Sequence, residues 1–255
     1  MRGVLSALAQ AQDTGTSEAQ WQAWGGLEAI PRLEIERLLA PGARLLVVSA
    51  CPEDKALGAA GLMVQAHAQG REVGVLALTD GPNRPSASAQ GEPGTVNPVR
   101  VQEPSRVLAA LGLTGVPVVR LGLKDGGVHG HEQRLGQWLG AMIRPGDVLV
   151  SPWRHDGLPD HEACGRACAR SAASVGAGLL EVPLWCWRWA RPGDVRLPWS
   201  QAVQLPLSVE LRAAKWETVG VLQAAGLDGQ GLLAEASSTN ALAYFRRPYE
   251  VFFMS

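Results

Sequence analysis

The chain is poor in the features that sort proteins quickly. It has four cysteines in 255 residues, Cys51, Cys164, Cys168 and Cys186, and no C-x-x-C pair. That number and scatter exclude a secreted disulfide scaffold and a structural zinc knuckle, so free thiols in a reducing compartment are expected. Charged residues are sparse at 18% and balanced, 23 Lys and Arg against 24 Asp and Glu. No global field therefore draws the protein to nucleic acid or to an anionic membrane. No apolar run approaches the roughly 20 residues that span a bilayer. The opening MRGVLSALAQAQ is shorter than an ordinary signal peptide and reads as a short helix. The expectation is a soluble, cytoplasmic protein with a small-molecule partner and neither nucleic acid nor membrane. No G-x-G-x-x-G or Walker pattern follows the first apolar run, which removes the common phosphate-binding motifs.

Glycine (30) and proline (17) are abundant, but they follow no fixed period and 46% of residues are hydrophobic. That composition belongs to a compact domain rather than to a collagen-like or disordered chain. From residue 44 short apolar runs alternate with longer periodic ones, the pattern of a parallel sheet covered by crossover helices. Strands are expected at Arg44–Ser49, Glu72–Thr79, Val116–Leu121, Asp147–Ser151 and Leu179–Val182. Helices are expected at Ala56–Gln69, Val99–Leu111, Glu132–Ile143 and Asp160–Ser174. The fold class is α/β, a Rossmann-like three-layer arrangement with a mostly parallel sheet flanked by helices. Residues 1–43 read as an N-terminal helical extension and 44–255 as the main domain. The Gly- and Pro-rich stretch 80–98 reads as a long mobile crossing. Aromatics make up only 5% of the chain, yet four of the nine tryptophans fall between 183 and 199, with Trp153 upstream. These indoles are either a substrate wall or a cap on the core whose N–H groups find backbone partners.

In an open parallel sheet, ligands bind at the carboxyl ends of the strands. The polar residues there are Cys51-Pro52-Glu53-Asp54-Lys55 after the first strand, Asp80 after the second, Lys124-Asp125 after the third, and the run from Arg154 to His161 after the fourth. Cys51, Asp54 and His161 form a mixed sulfur, oxygen and nitrogen set of the kind that holds zinc with one position open to water. Cys164 and Cys168, spaced i, i+4, are a soft metal pair or, more simply, buried packing.

The run VVSACPEDKALGAAGLM resembles the segment VVAPHPDDEALGAGGLM of the PIG-L/LmbE family of zinc-dependent N-deacetylases. LALTDG, Arg100 with Glu103, LGLKDG, PWRHDGLPDHEACGRA, VPLWCWRWA, Lys215 and YFRRPYEVFF are similar to later family segments in the same order. The resemblance spans roughly residues 44 to 253. It implies hydrolysis of an N-acetyl group, commonly on an amino sugar, with zinc polarising the acyl oxygen and an aspartate taking a proton from water. Carried over residue by residue, it implies Cys51, Asp54 and His161 as metal ligands, Glu53 as the base, and Arg100, Asp125 and Arg188 as substrate contacts.

The departures cluster where the chemistry lies. Cys51 replaces a histidine, Glu53 an aspartate, Lys55 an acidic residue, Leu158 a donor histidine and Arg188 another histidine. A thiolate ligand makes the metal less Lewis acidic. A base moved by about one methylene costs on the order of a hundredfold, and a lost oxyanion donor about 100 to 1,000-fold. The Lys55 ammonium is expected to compete for Asp54 and to stand in for zinc. His129, His131 and His155 are the histidines near enough in sequence to replace a missing donor. Two readings follow. One is a divergent zinc-dependent hydrolase of an N-acetyl sugar conjugate or related small molecule, with activity reduced or lost. The other is a non-catalytic ligand- or partner-binding module that keeps the fold without zinc.

Overall fold

The computed structural model describes residues 15–80, 99–101, 106–224 and 240–255. The strands are β1 (Arg44–Ser49), β2 (Glu72–Thr79), β3 (Val99–Val101), β4 (Val118–Leu123), β5 (Val148–Pro152), β6 (Gly178–Val182), β7 (Ala202–Pro206) and β8 (Tyr249–Met254). The helices are α1 (Glu18–Gln22), α2 (Ile35–Leu38), α3 (Asp54–Gly58), α4 (Ala60–Ala68), α5 (Arg106–Ala110), α6 (Glu132–Met142), α7 (Pro159–Val175), α8 (Cys186–Trp189) and α9 (Val209–Ala224). The strands form a single sheet in the order β3-β4-β2-β1-β5-β6-β8-β7. β4, β2, β1, β5 and β6 run parallel, and β3, β8 and β7 join antiparallel.

Side-chain alternation divides the core into two layers. Leu45 and Val47 of β1, Val73 and Val75 of β2, and Val148 and Val150 of β5 pack with Leu57, Leu62 and Met63 on one face of the sheet. Val48, Leu76, Leu78 and Leu149 pack on the other with Leu135 and Leu139 of α6 and with Ala163, Cys164, Ala167 and Cys168 of α7. Cys164 and Cys168 are thus core residues, and all four cysteines are free thiols. No helix among the described residues is long and apolar enough to cross a membrane.

Three sequence expectations are corrected. The five expected strands are the five parallel ones, but the sheet has eight: β3 joins beside β4, and β7 and β8 pair antiparallel over Ala202–Pro206 and Tyr249–Met254 at the other edge. The expected helix Val99–Leu111 is instead a strand on the edge of β4 followed by a short helix, α5. Val99-Arg100-Val101 suits an extended edge, and Pro104 opposes a single helix across the region. The expected helix Ala56–Gln69 breaks at Ala59 (φ −139°) into α3 and α4. The buried Glu250 carboxylate accepts from the Gly61 and Leu62 N–H groups (2.9 and 3.0 Å) and pairs with Lys215 (2.8 Å), so β8 caps the restarted helix. The 1–12 helix, Glu103 and residues 81–98 of the loop lie outside the described residues.

Three of the nine tryptophans, Trp21, Trp153 and Trp187, are buried, and the other six are half-buried against the core. Trp21 meets Trp187 edge to face, with centroids 5.0 Å apart, and its indole N–H donates to the Trp187 carbonyl (2.8 Å). Trp189 donates to the Asp156 carbonyl and Trp199 to that of Asp194. Buried indoles thereby satisfy their one polar atom while contributing large apolar area. Thr16 and Glu18 tie the N-terminal segment to Ala190, Tyr244 and Arg247.

Candidate metal centre

The chain leaves β1 for β2 and β4 on one side and returns for β5 and β6 on the other, which makes the carboxyl ends of β1 and β5 the switch point. Cys51 and Asp54 follow β1, and His161 lies in the first turn of α7, which follows β5. Their ligand atoms all lie within 4.8 Å of one another. Two glycines permit this approach. A Cβ on Gly165 would stand 2.6 Å from the Pro152 carbonyl oxygen and 2.7 Å from the Arg154 nitrogen, so α7 sits hard against the end of β5. Gly157, at φ +97°, turns the chain beneath the Trp189 indole in a conformation that side chains oppose.

Each ligand candidate is held from behind. Asp54 Oδ2 accepts from the Cys51 N–H (2.7 Å). His161 Nδ1 donates to Asp156 Oδ2 (2.6 Å), and Asp156, fully buried, also accepts from the N–H groups of Leu184 (2.9 Å), Trp185 (2.9 Å) and Cys186 (3.1 Å). The carboxylate therefore fixes the tautomer that leaves the Nε2 lone pair facing Asp54 and Cys51. Nε2 stands 3.2 Å from Asp54 Oδ1, and among the described residues neither buried atom makes a hydrogen bond of good geometry. A carboxylate oxygen and an imidazole nitrogen facing each other beside a sulfur need a cation between them, either a proton on Nε2 or a metal ion. The donor set and the facing atoms fit a zinc ion held by Cys51, Asp54 and His161.

The surroundings are strongly acidic. Burial, with help from Asp54, pushes the Glu53 carboxyl up to about 8. Burial also raises the Cys51 thiol, and Asp54 and Glu53 add to the effect while His161 opposes it. Burial disfavours charge on His161, but Asp54, Asp156 and Cys51 outweigh it and leave its pKa well above the ordinary value. For Asp125, burial and then Asp160 raise the carboxyl, while Cys51 counters through a contact of 3.8 Å from its Sγ to Asp125 Oδ1. A bound cation would reverse these tendencies.

Lys55 corrects a further expectation. Its buried ammonium donates to the Pro52 carbonyl (2.8 Å) and makes no ion pair with Asp54, so it does not stand in the metal's place. The geometry of α3 explains this: residue 55 is one step past Asp54, so its side chain leaves the helix on a different side. Glu53 is buried at the start of α3 beside the ligands. The Arg188 guanidinium lies over the Trp185 ring, 5.4 Å from its centroid. Arg100 lies on β3. Asp80 pairs with Arg120 through the Arg120 Nε (2.7 Å). The sequence reading passed over Asp156; a carboxylate five residues before a ligand-type histidine was the available signal.

Fold and site together define an α/β protein whose switch point carries a cluster of three residues, Cys51, Asp54 and His161, that could hold a metal ion. The family described as PIG-L: GlcNAc-PI de-N-acetylase matches residues 46–172, and the chain belongs to this family. Among solved structures it is similar to the deacetylase–teicoplanin complex from the teicoplanin biosynthesis pathway (16% identity, TM-score 0.54, covering 83% of this chain and 98% of that one). It is also similar to N,N'-diacetylchitobiose deacetylase from Pyrococcus horikoshii (14% identity, TM-score 0.53, covering 88% and 87%). The zinc-inhibited form of teicoplanin deacetylase gives 16% identity and TM-score 0.51, covering 83% and 97%. These likenesses are of fold. No curated protein matches the chain.

Proposed function

We propose that the protein is a zinc-dependent amide hydrolase that removes an acyl group, acetyl in the first instance, from an amino sugar or related small molecule, at a rate reduced by its altered ligand set. The observation that carries this reading is the convergence of the buried atoms Asp54 Oδ1 and His161 Nε2 with the Cys51 sulfur, all within 4.8 Å of one another. Zinc held there supplies Lewis acidity toward the acyl oxygen. Glu53 takes a proton from the attacking water, since its buried carboxylate stands at the start of α3 next to the ligands. Asp156 holds the ligand histidine in register. Asp125, Arg100 and Arg188 contact the substrate. One similar solved structure is named as an N,N'-diacetylchitobiose deacetylase and another as a deacetylase–teicoplanin complex, and the first name supports the amino-sugar class. We place the protein in the cytoplasm, in keeping with its free thiols.

The non-catalytic alternative rests on the several substitutions at the site and has Lys55 and Arg188 filling the metal position; Lys55 instead donates to the Pro52 carbonyl, and the Arg188 guanidinium lies over the Trp185 ring. Elemental analysis of protein purified without added metal, and again after zinc reconstitution and desalting, tests the proposal. The expected result is about one zinc per chain, lost in Asp54→Ala and His161→Ala. The reconstituted protein should also release acetate from an N-acetyl amino sugar. Zinc-free protein in both preparations overturns the proposal.

A further inference from the structure

A hydrolase of amides needs a proton for the departing nitrogen, because an amine anion is too poor a leaving group. Around the candidate centre the described side chains are mostly acids: Glu53, Asp54, Asp125, Asp156 and Asp160. The cation Lys55 is committed to the Pro52 carbonyl, and Leu158 at the start of α7 has no proton to give.

One side chain at the rim is built for the task. His129 lies in the 3-10 turn Val128–His131 that follows β4. Its backbone N–H and its ring Nδ1 both meet Asp160 Oδ1 at 3.1 Å. Asp160 is the residue before His161, and its carboxylate is buried, whereas the His129 side chain is 57% exposed. Asp160 also acts electrostatically on Asp125, which touches Cys51, so His129 is linked through Asp160 and Asp125 to the candidate ligands. A carboxylate accepts, so Nδ1 must carry the proton in this contact. That turns Nε2 away from Asp160, on the exposed side of the ring, with Asp160 fixing the ring's orientation. Among the described residues the other two loop histidines lack such a tie: His155 packs edge-on against Trp153, and His131 makes no ion pair with a carboxylate.

We propose that His129, oriented by Asp160, delivers the proton to the leaving amine, with Asp160 as its positioning residue. The inference rests on the hydrolase reading above. In the step, the water oxygen bonds to the acyl carbon and the carbon–nitrogen bond breaks. The nitrogen's electron pair takes the proton from His129 Nε2. The water gives a proton to Glu53 and, through solvent, this restores the imidazolium. Overall, amide plus water yields carboxylic acid plus amine, and both side chains end as they began.

The test uses the zinc-reconstituted full chain. A long-range proton–nitrogen NMR spectrum, recorded where the imidazole is neutral and assigned with His129→Gln, should show His129 as the Nδ1–H tautomer, the minority form in free histidine. N-Acetylglucosamine and p-nitrophenyl acetate are then compared as substrates, since the nitrophenolate leaves without a proton. In both His129→Ala and His129→Gln, kcat for the amide should fall about a hundredfold with KM little changed. Ester hydrolysis should stay within about twofold of wild type, and zinc content should be unaltered. An Nε2–H tautomer, equal losses on both substrates, or full amide activity in His129→Gln overturns this inference alone. Zinc-loaded wild type that hydrolyses neither substrate overturns it together with the proposed function.

Discussion

Replacing Asp156 by Asn preserves shape and removes charge at the point where fold and site meet. Oδ1 accepts from Leu184 and Cys186, and Oδ2 from Trp185 and His161. An amide offers one oxygen and one NH2 group, so in either orientation two N–H donors lose their acceptor and face another donor. Each lost bond to a buried charged acceptor is worth about 1.5–3 kcal/mol, which gives about 3–6 kcal/mol for the pair. If the NH2 group turns toward His161, the ring relieves the clash by moving its proton to Nε2, and the metal-facing lone pair disappears. Loss of such a supporting partner typically weakens metal binding by about 10–100-fold. Urea denaturation reads the first effect and zinc competition against a chromophoric chelator the second. A variant within about 1 kcal/mol of wild type and within about twofold in zinc affinity would refute the assignment of Asp156 as the group that orients His161.

Gly165→Ala should destabilise by about 1–3 kcal/mol, because its Cβ would meet backbone rather than a side chain able to move. The melting temperature should fall on the order of 2–12 °C, and the zinc content of the displaced α7 should fall with it. Gly140→Ala, on α6 with nothing within 4 Å of the added carbon, should raise the melting temperature slightly; equal behaviour of the two variants would count against the close-approach argument. Asp147 sits against β1 and β5 far from the centre. Burial opposes its ionisation, but the Arg44 guanidinium and the Arg144 N–H overcome that and hold it below the usual carboxylate range. A depressed carboxyl stabilises the fold above its unfolded pKa of about 3.9, and that contribution is lost as pH falls through the lower folded value. The stability gap between wild type and Asp147→Asn should therefore narrow from about pH 5 downward, and urea midpoints with a constant gap across that range would disprove it.

The parallel half of the sheet was legible because its strands are apolar on both faces. RLLVVS and EVGVLALT mark β1 and β2 to the residue, since Gly, Asp and charged residues bound them. The edge was harder. β7 and β8 are short and antiparallel, and β8 inserts between β6 and β7, an order that no local pattern announces. The break at Ala59 depends on a carboxylate 189 residues away in the chain, Glu250, so periodicity alone continued the helix through it. Val99–Leu111 was different: Pro104 was visible and argued for the break. At the site, residue types and order pointed to Cys51, Asp54 and His161, which the fold brings together. The direction of Lys55, the grip of Asp156 and the Asp160–His129 contact depend on side-chain angles that spacing does not encode.

The tether of the N-terminal segment has a bearing on synthesis. The Tyr244 hydroxyl donates to the Thr16 carbonyl across 228 residues of chain, and Trp21 packs on Trp187 and Trp199. At about 5–20 residues per second, ribosomes take on the order of ten to forty-five seconds to make the intervening chain. For most of that interval, until Trp187 and Trp199 are made, a tryptophan destined for full burial lacks the indoles that cover it. Every nascent chain passes through a period in which its first aromatic anchor is on offer to chaperones or to neighbouring chains.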